Sequence, residues 1–151
     1  MKIDIDRAPT VDGCGYPAPF DAPCQPRRRV RLGAAAGLQQ FGVNRMHLQP
    51  GAWSSQRHWH SREDEFVYVL AGEVVLVTDE GETLLRAGEC AGFRHGVANG
   101  HHLQNRGAVE AIVLEVGTDD PRDEADYPDL DMRNAGGAYV HRDGTPYPPR
   151  K

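Results

Sequence analysis

The stretch of the chain from residue 51 to residue 72, GAWSSQRHWHSREDEFVYVLAG, constrains the fold most, because it spaces three potential metal ligands along a short length of backbone. Side chains on a strand repeat every two residues, so a strand here would point His58 and His60 to one face and form a two-histidine metal clamp. Glu65 lies an odd number of residues further on, so it could join the histidines only if the chain bends. The polar residues 61–64 could supply that bend.

A metal held by these three side chains needs a further ligand from elsewhere in the chain. The segment 101–105, HHLQN, is the obvious donor. His101 and His102 would alternate to opposite faces of a strand, so only one of them can join the cluster. The residues alone leave both histidines open as the fourth ligand.

Two groups of residues resemble the two sequence motifs of the cupin superfamily. The first has the pattern G-x6-H-x-H-x4-E-x6-G over residues 51–72, where the usual gap between the first glycine and histidine is one residue shorter. The second begins with residues 88–96, GECAGFRHG, and continues with His101-x3-Asn105. It departs from the usual pattern at Arg94, where many cupins have proline, and in a longer gap before His101.

The resemblance implies an all-β fold, a single jelly-roll barrel of the cupin type, with one bound metal ion. By resemblance the metal ligands are His58, His60, Glu65 and His101. Three imidazoles and one carboxylate suit a divalent first-row transition metal (Fe, Mn, Ni, Co or Zn) and disfavour Ca and Mg. Four protein ligands on a six-coordinate metal leave two positions open, as a catalytic site requires.

Three further residues are candidate substrate contacts. Period-two spacing from His58 places Ser54 and Gln56 on the same face, where they would line the cavity; otherwise they are polar edge residues. Arg94, in the loop leading to His101, could bind an anionic group such as a carboxylate or phosphate; otherwise it is an exposed turn residue. No catalytic residue can be named from the sequence.

Short hydrophobic runs separated by turn residues predict an all-β sandwich or barrel between residues 28 and 118. The five prolines within residues 1–27 predict an extended arm. Residues 119–151 are acidic and rich in turn residues, and are predicted to be a tail that packs on the barrel, with one short strand at 138–141. The predicted barrel strands are 41–48, 52–60, 65–70, 73–78, 82–86, 89–93, 101–105 and 109–116, with one helical turn at 34–40.

The composition limits the classes of molecule that the chain is expected to bind. A net charge of −5 and a sequence pI near 5.8 provide no basic field for nucleic acid, and the arginines of RRRVR (27–31) are predicted to be solvated. The sequence has no apolar run near the ~20 residues of a membrane span and no secretory signal, so we expect a cytoplasmic protein. Its three cysteines are therefore expected to be reduced, with Cys90 in the core. The arm and tail need a surface to pack on, which favours a homodimer.

Three classes of function remain. The open metal site favours an enzyme acting on a small molecule, either a dioxygenase-type oxidoreductase or a sugar-phosphate isomerase or epimerase, and the sequence does not decide between them. The alternative is a cupin that binds or senses a small ligand without catalysis. A storage or structural cupin is disfavoured by the short chain and the intact ligand set.

Overall fold

The computed structural model describes residues 1–148, which contain thirteen strands, one short helix and two 3-10 turns (Ile5–Arg7 and Ala22–Cys24). The first elements are β1 (Thr10–Asp12), β2 (Arg27–Arg31), α1 (Leu32–Ala35), β3 (Phe41–Leu48), β4 (Trp59–His60), β5 (Glu65–Ala71) and β6 (Glu73–Thr78). The others are β7 (Gly81–Arg86), β8 (Cys90–Phe93), β9 (His102–Gln104), β10 (Ala111–Thr118), β11 (Glu124–Tyr127), β12 (Met132–Ala135) and β13 (Ala138–Val140). In this part of the chain, no helix is long and apolar enough to cross a membrane.

The main core lies between two sheets. A six-stranded sheet in the order β1-β2-β3-β10-β5-β8 faces a three-stranded sheet in the order β7-β6-β9. Alternate residues of both sheets point inward and bury apolar side chains against each other, as in other β-sandwiches and jelly rolls. The inward residues include Met46, Leu48, Val67, Val69, Val74, Leu85, Leu103 and Val113. This arrangement confirms the predicted all-β fold and agrees with a jelly roll.

Replacing Leu48 with alanine should destabilise the protein strongly, because the side chain has no exposed surface and its removal leaves a cavity in the main core. We expect a loss of about 2–5 kcal/mol in the free energy of unfolding. The control is Leu84→Ala on β7, where the leucine is 38% exposed and should cost far less. Urea denaturation of both variants measures the difference, and equal losses would contradict the assignment of Leu48 to the core.

Gly72, the last glycine of the first motif, turns the chain from β5 to β6. Its φ angle is +71°, and a Cβ atom there would lie 2.7 Å from the carbonyl oxygen of Glu110. Both the positive φ and the close contact favour glycine. The turn therefore explains why this position of the motif is glycine.

Both terminal segments contribute strands. In the arm, β1 pairs with β2 and extends the six-stranded sheet. In the tail, the order β13-β12-β11-β4 makes a third sheet that includes the histidine strand β4. A second hydrophobic cluster joins the arm to the tail, and its buried members are Cys14, Tyr16, Cys24, Ala125, Tyr127 and Met132. The tail strand predicted at 138–141 corresponds to β13, whereas the hairpin of β11 and β12 was not predicted.

The strand predicted at 52–60 is wrong over most of its length. Only β4 is a strand there, and isolated bridges join Trp53 to Gln104 and His58 to His101. Between these two bridges, the first segment advances five residues, from 53 to 58, while the second advances only three, from 101 to 104. The extra residues of the first segment therefore bulge away from the ladder. The bulge is held by the arm, because the Arg27 guanidinium donates to the carbonyl oxygen of Ser54.

Two smaller predictions about burial are also wrong. Cys90 is exposed, because it pairs with Tyr68 on the outer face of the six-stranded sheet. Among the arginines of β2, Arg27 is buried and Arg29 is partly buried, because Arg27 donates to the carbonyl oxygens of Gly13 and Ser54 and Arg29 pairs with Glu115. Arg28 and Arg31 are exposed to solvent.

Candidate metal centre

The structure brings together the four side chains that the cupin resemblance implies as ligands. Glu65 Oε2 lies 2.7 Å from His101 Nε2, 3.5 Å from His58 Nε2 and 3.6 Å from His60 Nε2. His58 and His101 are buried, and the other two side chains are partly buried. Because His60 lies in β4 and Glu65 begins β5 of a different sheet, the odd spacing between them does not separate their side chains. Residues 61–64 form the connection between the two sheets.

The second ring nitrogen of each histidine faces a fixed hydrogen-bond acceptor. His58 Nδ1 lies 2.8 Å from the carbonyl oxygen of Gln56, and His101 Nδ1 lies 3.3 Å from that of Asn99. His60 Nδ1 lies 2.6 Å from Asp123 Oδ2. An unprotonated carboxylate or a carbonyl only accepts, so Nδ1 of each ring carries a proton, and each imidazole in its neutral form would present the Nε2 lone pair to a metal ion. Three such nitrogens and a carboxylate fit a divalent first-row transition metal.

The cluster is strongly coupled electrostatically. Burial raises the pKa of Glu65, but the charge of His58 and hydrogen bonds from His101 and His58 hold that pKa well below its usual range. Burial lowers the pKa of His58, but the Glu65 carboxylate more than offsets this and leaves the pKa raised. In the metal-free protein, the His58 ring therefore stays doubly protonated and positively charged up to a higher pH than an ordinary histidine does.

Metal binding should release this proton, because a ligating imidazole must be neutral. The apparent affinity should therefore increase with pH through the neutral range, by up to about tenfold per pH unit for one proton, and level off above the raised pKa of His58. Calorimetric titration in two buffers with different ionisation enthalpies counts the protons released. A binding enthalpy that is independent of the buffer at pH 6–7 would contradict this prediction.

The surroundings of the two adjacent histidines favour His101 as the fourth ligand. Both ring nitrogens of His102 have other partners, since Nδ1 lies 2.9 Å from the carbonyl oxygen of Ser55 and Nε2 lies 2.9 Å from Gln104 Nε2. His101 instead faces Glu65, and its ring stacks on Phe93 with 3.6 Å between centroids and 2° between planes. The identity of all four ligands remains a prediction that metal binding must test.

A cavity of about 200 Å³ adjoins the cluster and contains two charged residues that the sequence did not single out. Arg29 makes two hydrogen bonds to Glu115, with Nε 2.6 Å from Oε2 and Nη2 2.8 Å from Oε1. Burial lowers the pKa of Arg29, but Glu115 raises it further, so the guanidinium stays charged. Tyr16 from the arm also lines this cavity and packs edge-to-face on Tyr127. No local pattern in RRRVR marks Arg29, because its partner Glu115 lies 86 residues further along the chain.

The three candidate substrate contacts occupy different environments. Ser54 is buried and lines the cavity, but its Oγ already accepts a hydrogen bond from the backbone N–H of Leu103. Gln56 is outside the cavity lining, and its Nε2 donates to the carbonyl oxygen of Phe20 at 2.6 Å. Arg94 is exposed and lines a neighbouring cavity of about 170 Å³, which shares His60, Phe93 and His101 with the first cavity. A substrate role for any of them remains a prediction.

Known proteins share both the sequence pattern and the fold. The family described as Cupin domain matches residues 44–117. The crystal structure of a sugar phosphate isomerase from a cupin superfamily, from Silicibacter pomeroyi DSS-3, is 43% identical, with a TM-score of 0.92 and coverage of 98% of this chain and 97% of that one. No curated protein matches the chain. The chain belongs to the cupin superfamily, which confirms the resemblance of its two motifs.

Two further structures show how far the likeness extends. A proposed sugar phosphate isomerase of Acidithiobacillus ferrooxidans is 27% identical, with a TM-score of 0.76 and coverage of 91% of this chain and 86% of that one. The polyketide cyclase of Streptomyces resistomycificus is 16% identical, with a TM-score of 0.64 and coverage of 78% of both chains. At that identity the likeness to the cyclase shows the fold alone.

Proposed function

We propose that this cupin is a metal-dependent enzyme that interconverts aldose and ketose forms of a small sugar phosphate. The observation that carries the proposal is the convergence of three histidine Nε2 atoms and Glu65 at the wall of a cavity that also contains a paired arginine and glutamate. The likeness to the Silicibacter pomeroyi isomerase over nearly the whole of both chains supports the choice of reaction.

The residues of the cavity suit a substrate with several hydroxyl groups. Aldose–ketose interconversion moves a proton between neighbouring carbons while a carbonyl oxygen gains negative charge. A divalent metal, when bound by the four ligands, would supply polarisation of the substrate oxygens. Arg29 can donate hydrogen bonds to hydroxyl oxygens. Among the described residues that line this cavity, Glu115 is the carboxylate outside the ligand set, so we assign it as the carrier of the transferred proton.

Arg94 is the candidate anchor for the phosphate. Within residues 1–148 its guanidinium has no ion-pair partner within 4.0 Å, and it lines the smaller cavity, which shares His60 and His101 with the first. A substrate that spans both cavities would have its reacting carbons near the metal ligands and its phosphate near Arg94. We propose Arg94 as the specificity residue for the phosphorylated end.

The test is to load the purified protein separately with iron, manganese, nickel, cobalt and zinc and to incubate each form with triose to hexose phosphates. Nuclear magnetic resonance then detects interconversion, and we expect at least one metal form to convert a substrate while His58→Ala converts none. Tight binding of a sugar phosphate without conversion would favour the non-catalytic function. Oxygen consumption by the iron form, with no interconversion, would favour a dioxygenase.

We also propose that two copies of the chain associate through the outer face of the six-stranded sheet. Phe66, Tyr68 and Leu70 alternate with buried valines on β5 and are 36–46% exposed in the single chain. A second copy would cover this apolar row. Sedimentation analysis should show a dimer that Leu70→Glu dissociates, and a monomeric native protein would refute the proposal.

A further inference from the structure

The tail of the chain contributes a carboxylate to the metal cluster. Asp123 immediately precedes β11, outside the residues that match the cupin family, and its side chain is only 9% exposed. Its Oδ2 lies 2.6 Å from His60 Nδ1. Its Oδ1 accepts hydrogen bonds from Ser61 Oγ at 3.2 Å and from the backbone N–H of Arg62 at 2.7 Å. Both carboxylate oxygens of Asp123 are thus hydrogen-bonded to the end of β4 and the residues that follow it.

The register between two strands fixes this position. β11 pairs with β4 so that Ala125 lies opposite His60. The backbone N–H of Ser61 donates to the carbonyl oxygen of Glu124, and the N–H of Glu124 donates to Ser61 Oγ, both at 2.9 Å. Because the backbone on both sides is hydrogen-bonded, Asp123 has little freedom to move away from the imidazole.

His60 differs from the other two candidate histidine ligands in the kind of acceptor that it contacts. His58 and His101 face backbone carbonyl oxygens, whereas His60 faces a carboxylate. A carboxylate at Nδ1 fixes the ring orientation and makes the opposite nitrogen a stronger metal donor. Glu63 Oε2 lies 3.8 Å from the same Nδ1, which is too long for a hydrogen bond.

We propose that Asp123 is a positioning residue that holds His60 in its metal-binding orientation, so that the tail hairpin sets the metal affinity of the site. The proposal rests on the metal role of His60 proposed above, and it holds whichever reaction the enzyme catalyses. It gives the tail a function beyond covering the barrel.

The experiment compares Asp123→Asn and Asp123→Ala with Asp126→Asn. Asp126 lies in the same hairpin and pairs with Arg142, which makes it a matched control for damage to the tail. Metal affinity is measured by competition between the protein and a chelator for Co²⁺ and Zn²⁺. We expect affinity to fall about tenfold for the asparagine variant and up to about 100-fold for the alanine variant, and to remain within about twofold of the native value for Asp126→Asn.

Two further measurements separate positioning from a structural role. The absorption spectrum of the Co²⁺-loaded protein should change in the Asp123 variants, because the geometry of His60 changes, and Asp123→Glu should recover part of the lost affinity. Urea denaturation of the metal-free variants reports damage to the fold independently. Reduced stability with native metal affinity and a native spectrum would overturn the proposal.

Metal stoichiometry identifies the remaining outcomes. His60, Glu63 and Asp123 could themselves hold an ion, since one potential ligand atom of each lies within 4.8 Å of the others. Two ions per native chain, reduced to one by Asp123→Ala, would overturn the positioning role. No metal bound by the native protein would refute the proposed function and this inference together. Unchanged affinity in the variants alone would refute only the role of Asp123.

Discussion

Replacing His58 with alanine will abolish the binding of one metal ion per chain and leave a folded barrel. The imidazole is buried and directs Nε2 toward Glu65, so its loss removes a ligand that water cannot replace with equal strength. Loss of a residue that only hydrogen-bonds to a metal ligand lowers metal affinity by up to about 100-fold. Loss of His58 itself should lower the metal affinity further. Elemental mass spectrometry of protein purified without a metal-affinity tag measures the stoichiometry, and circular dichroism confirms that the barrel is folded.

His102→Ala is the matched control for this prediction. His102 is also a buried histidine beside the cavity, but its two ring nitrogens contact Ser55 and Gln104 rather than Glu65. The control variant should keep one metal ion per chain. Metal retained by His58→Ala would refute the assignment of His58 as a ligand. Metal lost from His102→Ala but kept by His101→Ala would show that His102, and not His101, is the fourth ligand.

Removing the carboxylate of Glu115 should cost about 2–3 kcal/mol in the free energy of unfolding, because the guanidinium of Arg29 then remains partly buried without its partner. The side chains are 30% and 18% exposed for Arg29 and Glu115, so the loss should be smaller than for a fully buried pair. The variant is Glu115→Ala, and urea denaturation at neutral pH measures the loss.

Glu82 offers a control that also pairs with an arginine through two hydrogen bonds. It makes two hydrogen bonds of 2.7 Å to Arg106 on the surface, where the two side chains are about half exposed. Glu82→Ala should cost much less than Glu115→Ala, since solvent screens exposed pairs. Combining Arg29→Met with Glu115→Leu should cost less than Glu115→Ala alone. Equal losses of unfolding free energy for Glu115→Ala and Glu82→Ala would show that the cavity pair is as well solvated as the surface pair.

Local patterns in the sequence predict much of the barrel. Runs of strand-forming residues bounded by turn residues place β3 and β6 with the bounds that the structure shows. The histidine and glutamate spacing also indicates a metal cluster, since both cupin motifs lie within the matched domain. The strand predicted at 52–60 is wrong because isolated bridges at Trp53 and His58 replace a continuous hydrogen-bonded ladder there, which the local sequence does not reveal.

Contacts between distant segments could not be predicted from such patterns. Arg29 and Glu115 are 86 residues apart, and His60 and Asp123 are 63 residues apart. Neither pair has a local spacing that marks it, and Asp123 lies in an acidic run that resembles a solvated loop. The alternation of Ala125 and Tyr127 with acidic residues was the available signal for the hairpin, and only the tertiary packing shows what it covers.

The two ends of the chain pack against each other and bring residues from outside the matched cupin domain to the site. Residues 44–117 contain the proposed metal ligands, whereas Tyr16, Arg29 and Asp123 lie outside that range. Substitutions at the ends of the chain can therefore change the lining of the cavity, and the contact of Asp123 with His60, while the proposed ligands stay the same. The terminal segments are therefore where substrate preference could change without a change in the proposed ligands.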